Sequence, residues 1–222
     1  MADLFGYEKP PAQTMGGIMV DGINKDNRHP EDFYPTEPEA VHALMAFIGD
    51  AIEGWSVMTG KPIAFHEPAC GDGAIAKVIE GYGYPCLATD LVYRGYGTGG
   101  VDYLTSTETR PFVITNPPFN MAREFVEKAL ADGAERVWML LKATYFHAAS
   151  RVDLFEGTPI SRIMPMSWRL DFTGQGRPTM ECSWFEWQRG YKGEPVYGPI
   201  LRNPRLDKKN TEICKNTVDL FE

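Results

Sequence analysis

Short apolar runs alternate with helix-patterned segments through most of this chain, and that alternation restricts the fold more than any other feature. "PIAFHE", "PCLATDL", "VDYL", "FVITN" and "RVWMLLK" read as strands, while "GAIAKVIEGYG" and "MAREFVEKALADGA" repeat apolar residues at helical spacing between them. Strands that alternate with helices imply crossover connections and a mostly parallel sheet. Upstream, "YPTEPEAVHALMAFIGDAI" places Val41, Leu44, Met45, Ile48 and Ile52 on one helical face, and Thr36 with Glu39 has the spacing of a capping box. Downstream, "SRIMPMSWRL" and "ECSWFEWQRG" read as two strands joined by the irregular loop "DFTGQGRPT". The expectation is an α/β fold with a C-terminal antiparallel hairpin and helices on both faces.

A chain of 222 residues, 43% hydrophobic and 23% charged, has the composition of one globular domain. We expect a loosely ordered arm over residues 1–33, the folded domain over 34–200 and a basic-leaning tail over 201–222. No apolar run is long enough to cross a bilayer, and the first residues lack a basic segment followed by an apolar one. A cytoplasmic location, bacterial or in a phage-infected host, is therefore the expectation. Cys70, Cys86, Cys182 and Cys214 are too widely spaced for a zinc site or redox dithiol, and should be reduced thiols. His29, His42, His66 and His147 form no cluster. The net charge of −8 argues mildly against a nucleic-acid partner, yet residues 161–222 carry 10 basic and 8 acidic side chains, so a polyanion would be met there.

The chemistry-bearing residues fall at the expected strand ends, where parallel sheets bind ligands. In "FHEPACGDG", Glu67 ends a strand, and Gly71 with Gly73 lets bare backbone and helix N-terminal amides approach a ligand. Asp90 follows about 20 positions later, the spacing of a carboxylate that accepts from ribose hydroxyls. Asp102 in "VDYL" is suited to an adenine amino group. Each residue alone also fits a helix cap or a turn. The glycines of "YRGYGTGG" lack the lysine and hydroxyl of a phosphate loop, and read as a flexible connection. In "NPPF", two prolines stop the strand, so that the Asn116 side-chain oxygen and the Pro117 carbonyl become acceptors with little freedom. Such a pair would pull on the N–H bonds of an exocyclic amine and localise its lone pair for attack on a methyl group, with Phe119 stacked on the base.

On these residues the chain resembles class I S-adenosylmethionine-dependent methyltransferases, most of all the DNA adenine N6-methyltransferases. "NPPF" matches their base-holding tetrapeptide, "EPACGDG" their cofactor turn and "FYPTEP" their upstream threonine element, in the motif order of the gamma group. The resemblance covers roughly residues 30 to 190 and implies a Rossmann-like, seven-stranded sheet. It further implies that S-adenosyl-L-methionine lies against Tyr34, Thr36, Glu67, Pro68, Ala69, Cys70, Gly71 and Gly73, then Asp90, Leu91, Asp102, Tyr103 and Asn116. Catalysis would fall to Asn116, Pro117, Pro118 and Phe119.

We expect no separate target-recognition domain after residue 150, and "GRPTMECSWFEW" resembles the late segment of small phage-type enzymes. By that likeness Arg177, Trp184 and Phe185 border the base, although the same aromatic alternation suits a sheet core. Lys142 and Tyr145 would line the substrate side. The implied partner is DNA, as a duplex with an extruded adenine or as a single strand. A homodimer is one way to supply the missing recognition surface, and no membrane partner is expected. Phosphate contacts would come from Arg169, Arg177, Arg189, Lys192, Arg202, Arg205, Lys208 and Lys209. The same pocket fits RNA adenine or protein glutamine, and a third reading is a cofactor-binding subunit that needs a partner for target recognition.

Overall fold

The structure, a computed structural model, describes residues 34–172 and 180–202. Helix α1 spans Pro38–Thr59, followed by β1 (Phe65–Glu67), α2 (Ala74–Gly81), β2 (Cys86–Ala88), β3 (Phe112–Thr115), α3 (Ala122–Ala131) and β4 (Arg136–Lys142). After a single 3-10 turn come α4 (Val152–Gly157), β5 (Arg162–Pro165), β6 (Cys182–Gln188) and β7 (Val196–Tyr197). The seven strands form one sheet in the order β2-β1-β3-β4-β6-β5-β7. Neighbours pair in parallel except for β6, which runs antiparallel to both β4 and β5.

The sheet is covered on both faces. Phe112, Ile114, Trp138, Leu140 and Trp184 face α1 and α2, and Val113, Val137, Met139, Leu141 and Phe185 face α3 and α4. A strand buried on both sides has no polar face to alternate with, which is why β3 and β4 read as continuous apolar runs. All five apolar residues expected on the inner face of α1 are buried, as are Ile75, Val78 and Ile79 of α2.

Three expectations are corrected. The "VDYL" segment is a turn: Asp102 Oδ1 accepts the Leu104 N–H at 3.0 Å and its carbonyl accepts from Thr105, so the local Asx hydrogen bond replaces ladder pairing. Thr36 and Glu39 form no capping box. Glu37 holds the N-cap position without a side-chain cap and Pro38 occupies the first turn, while Glu39 pairs with Arg202 at 2.7 Å. The "YRGYGTGG" segment is anchored, since the Thr98 N–H donates to Ala88 O and the Asp90 N–H to Thr98 O, both at 3.0 Å. Finally, β7 adds an edge strand that its two residues could not announce. Of the thiols, Cys70, Cys86 and Cys182 are free, and Cys214 lies outside the described residues.

Gly97 shows how tightly the returning segment packs. It sits at φ 64°, and a Cβ there would lie 2.5 Å from the Ala88 carbonyl oxygen and 3.0 Å from Cys70 Sγ. Gly97→Ala should therefore destabilise the chain by about 2 kcal/mol, a loss of roughly 5 °C in Tm by calorimetry. An unchanged Tm would mean that the segment is loose.

Candidate methyl-transfer site

Three side chains reach one edge of the sheet because their strands end there. Glu67 is the last residue of β1, Asp90 lies two residues beyond β2, and Asn116 directly follows β3. Since β1 lies between β2 and β3, the three stand side by side. The chain leaves β1 for β2 on one side and returns to β3 on the other, so a crevice opens between Glu67 and Asn116. It holds a cavity of about 120 Å³.

Asn116 is oriented by its neighbours. Its Nδ2 donates to the Tyr34 carbonyl at 3.0 Å and to Thr36 Oγ1 at 3.2 Å. A carbonyl cannot donate, so the atom facing Tyr34 has to be the nitrogen, and the amide has one possible orientation. Both Nδ2 protons are engaged, which leaves Oδ1 as the amide's acceptor, and Asn116 lines the cavity. Thr36, 4% exposed, gives up the expected capping role for this one.

Glu67 is 2% exposed, and its Oε2 accepts the Ala76 N–H at 2.8 Å, tying the end of β1 to the first turn of α2. Burial raises its pKa well above the carboxylate range; the Ala76 N–H opposes this, and the charges of Asp90, Asp72 and Glu80 add to it. Asp90 accepts from the Gly71 N–H through Oδ2 and from the Val92 N–H through Oδ1, both at 2.8 Å. Its carboxylate therefore fixes the glycine turn and keeps one further lone pair on each oxygen. Gly73, at φ 82°, starts α2 beneath the Tyr96 ring, which a Cβ would meet at 2.4 Å. Beneath the site His66 is 0% exposed, with Nε2 3.0 Å from Thr89 Oγ1. Burial, then Arg110 and Lys128, lowers its pKa to about 4, so it stays neutral.

Tyr34, Thr36, Glu67, Pro68, Ala69 and Cys70 line the cavity, and so do Asp90, Leu91, Asp102, Tyr103, Asn116 and Pro118. Gly71 and Gly73, in the turn between β1 and α2, are not among its lining residues. Asp72, Ile75, Arg94, Val101, Met121 and Phe125 also line it, and the sequence reading did not single them out. Ile75 and Phe125 had the periodicity of helix cores, which conceals a second contact at a helix's first turn. Phe119 is half-buried outside this cavity, with Lys142 Nζ 5.7 Å from its ring centroid.

The expected substrate-side aromatics are corrected. Trp184 and Phe185 are both 0% exposed. Strand β6 sits between β4 and β5 with helices on both faces, so successive aromatics enter the two cores, and the Trp184 Nε1–H donates to Ala40 O at 3.1 Å. Tyr145, 5% exposed, packs edge-on to Phe155 and Phe185 and lies under the Arg151 guanidinium at 4.2 Å, away from the cavity. Arg177 lies outside the described residues.

Solved structures of low sequence identity share this architecture. A candidate RNA methyltransferase from Pyrococcus horikoshii aligns at TM-score 0.55 and 12% identity, over 73% of this chain and 91% of that one. A candidate class I S-adenosylmethionine-dependent methyltransferase from Listeria monocytogenes gives 0.52 and 14%, over 88% and 73%. A predicted O-methyltransferase from Agrobacterium tumefaciens gives 0.52 and 11%, over 79% and 96%. The fold is that of class I methyltransferases. No family profile matches the chain, and no curated protein does. In this methyltransferase fold, the cavity occupies the carboxyl edge of β1 to β3. Among the described residues no helix is long and apolar enough to cross a membrane, and no cluster of side chains could hold a metal ion.

The raised pKa of Glu67 has a sign that can be tested. Folding keeps it protonated at pH values where the unfolded chain has lost the proton, so its contribution to stability falls as pH rises from the ordinary carboxylate range towards the raised folded value. Gln in its place could still accept from Ala76. Glu67→Gln should therefore have the higher Tm at pH 8, with the difference closing as the pH is lowered, in paired melting curves of the ligand-free chains.

Proposed function

We propose that this chain transfers a methyl group from S-adenosylmethionine to the exocyclic N6 amine of adenine in DNA. The observation that carries the reading is the fixed amide of Asn116, whose protons are held by Tyr34 and Thr36 while Oδ1 is left for a donor at the cavity. An adenine amine offers two N–H donors in the plane of the base. Oδ1 and the Pro117 carbonyl, on a backbone that two prolines stiffen, are the acceptors for it. Accepting these bonds raises electron density on the nitrogen and orients its lone pair for in-line attack. Phe119 offers a face for the base, and Lys142 stands beside it.

The residues lining the cavity suit the chemical groups of the cofactor. Asp90 and Asp102 supply acceptors, Ile75, Leu91 and Tyr103 supply apolar contact, and Glu67 brings a carboxylate that a positive charge would help to ionise. When bound, S-adenosylmethionine supplies an electrophilic methyl group on its sulfonium. The protein's part is to hold the amine in line and to keep water out; no nucleophilic cysteine is involved. Burial raises the pKa of Cys70 to about 12, which keeps it an unreactive thiol.

One observation favours a second substrate, a protein glutamine. Two of the cations expected to meet phosphate are already paired, Arg169 with Glu181 at 2.6 Å and Arg202 with Glu39 at 2.7 Å. These pairs are exposed and worth about 0–1 kcal/mol, so a phosphate could displace them. Arg205, Lys208 and Lys209 lie outside the described residues. Incubation of the chain with labelled cofactor and mixed DNA, RNA and protein should yield N6-methyladenine in DNA; label in protein alone would replace the first reading with the second.

Asn116→Ala should lower kcat by ~10²–10³-fold, the usual cost of losing one preorganised polar contact to the reacting centre, with cofactor affinity changed far less. Thr36→Val keeps the shape of that side chain but removes one acceptor that orients the amide, and should lower kcat by ~10-fold. Single-turnover rates with N6-methyladenine as the readout check both, and full activity in Asn116→Ala would refute the acceptor role.

A further inference from the structure

A second cavity, of about 130 Å³, lies at the opposite end of the sheet, where β4 and β5 begin and β6 ends. Its centre is Glu186, whose side chain is only 3% exposed. Arg136 Nη1 meets Glu186 Oε1 at 2.5 Å, and Arg162 Nε lies 3.6 Å from Oε2. Two guanidiniums thus face one carboxylate, and among the described residues no other acidic side chain lines the cavity. One positive charge is left over in a partly desolvated place, which is unfavourable unless a counter-charge is supplied.

The donors are poised. Arg162 Nε is buried without a hydrogen-bond partner among the described residues, and the guanidinium carbon stands over the Phe47 ring, 5.2 Å from its centroid. Among the described residues Arg136 makes one side-chain hydrogen bond, to Glu186, which uses one of its five N–H donors. Phe47, Ile48 and Ala51 of α1 and Val196 of β7 form an apolar side of the wall, and Ser161, Gln188 and Tyr191 complete it. Phe47 and Val196 are 38% and 50% exposed, which leaves an apolar lip at the mouth.

We propose that this cavity binds a small organic anion, with a carboxylate or phosphate head on Arg136 and Arg162 and a compact apolar body against Phe47 and Val196. Guanidiniums match both oxyanions by paired N–H donation. The size suits one ring or a short branched chain, since an apolar cavity of about 150 Å³ holds benzene. The cavity and the proposed methyl-transfer crevice lie at opposite ends of the strands, so this inference does not depend on what the chain methylates.

Titration calorimetry on the full chain at constant ionic strength tests it, with sodium benzoate, phenyl phosphate, inorganic phosphate and neutral benzyl alcohol as probes. Saturable binding of benzoate or phenyl phosphate is expected, with benzyl alcohol at least about tenfold weaker. Preference between the two anions identifies the head group, and inorganic phosphate binding as tightly as phenyl phosphate would remove the apolar part of the proposal. Arg162→Met keeps the stem over Phe47 and should weaken the anions about tenfold or more. If that variant does not fold, the Arg136 and Arg162 Nε–H resonances of the unmodified chain, followed by NMR during the benzoate titration, give the answer alone. No saturable anion binding, or saturation that leaves both resonances unmoved, would overturn the site.

Discussion

The Asn116 amide joins parts of the chain that are 80 residues apart and fixes both. Through Nδ2 it holds the Tyr34 carbonyl and the Thr36 hydroxyl, so the segment entering α1 is pinned to the end of β3. The prolines that follow restrict the strand exit from the other side. Pinning the α1 entry places Glu37, which accepts the Asp171 N–H, and brings Tyr34 edge-on to Phe172 at 5.9 Å. A single amide therefore couples the corner after β3 to the start of α1 and to the chain that leaves β5. Each bond is worth about 1 kcal/mol net, but leaving the buried acceptors unpaired would cost more, so the arrangement is self-enforcing.

The neighbouring turn works on the same logic with opposite polarity. Asp90 and Glu67 accept backbone N–H groups from the segment between β1 and α2, including the first turn of the helix. These bonds hold the glycine turn open without a bulky side chain. Tyr96 closes over Gly73, and its hydroxyl donates to Glu80 at 2.5 Å. A glycine is needed there because a ring occupies the space a Cβ would fill. The cavity is thus built from hydrogen bonds that are complete before any ligand arrives, the condition under which orientation effects can lower a barrier.

The sequence revealed the sheet, the crossovers and the crevice residues because they rest on local signals: apolar runs, helical spacing, and glycine or proline at strand ends. It misled where a residue's partner was distant. Thr36 with Glu39 had a helix cap's spacing, but Asn116 competes for the threonine hydroxyl from across the fold. Trp184 and Phe185 looked equally suited to a pocket and to a core; what decided it was the position of β6 inside the sheet, which only topology gives. The "VDYL" run had strand-like composition, yet the Asp102 side chain satisfied the backbone locally and a turn resulted. Arg94 reaches the cavity from a loop whose path depends on the return of Thr98 to β2, and no periodicity encodes that.

The charge distribution along the carboxyl edge of the sheet separates two kinds of ligand. Asp72, Asp90 and Asp102 line the cavity at the β1 and β2 end together with Arg94, so acidic groups outnumber basic ones there and favour a cation over phosphate. Lys142, beside the Phe119 ring at the end of β4, and Arg151, over Tyr145, bring positive charge to the other side, where Glu124 and Glu127 also lie near Tyr145. On the function proposed above, a sulfonium-bearing cofactor would lie on the acidic side of Asn116 and a polyanion beyond it, beside Lys142. The uncharged amide at the boundary suits a reacting amine that must be approached from both. A carboxylate at that position would lose its fixed orientation, since the Tyr34 carbonyl would then face an acceptor instead of a donor.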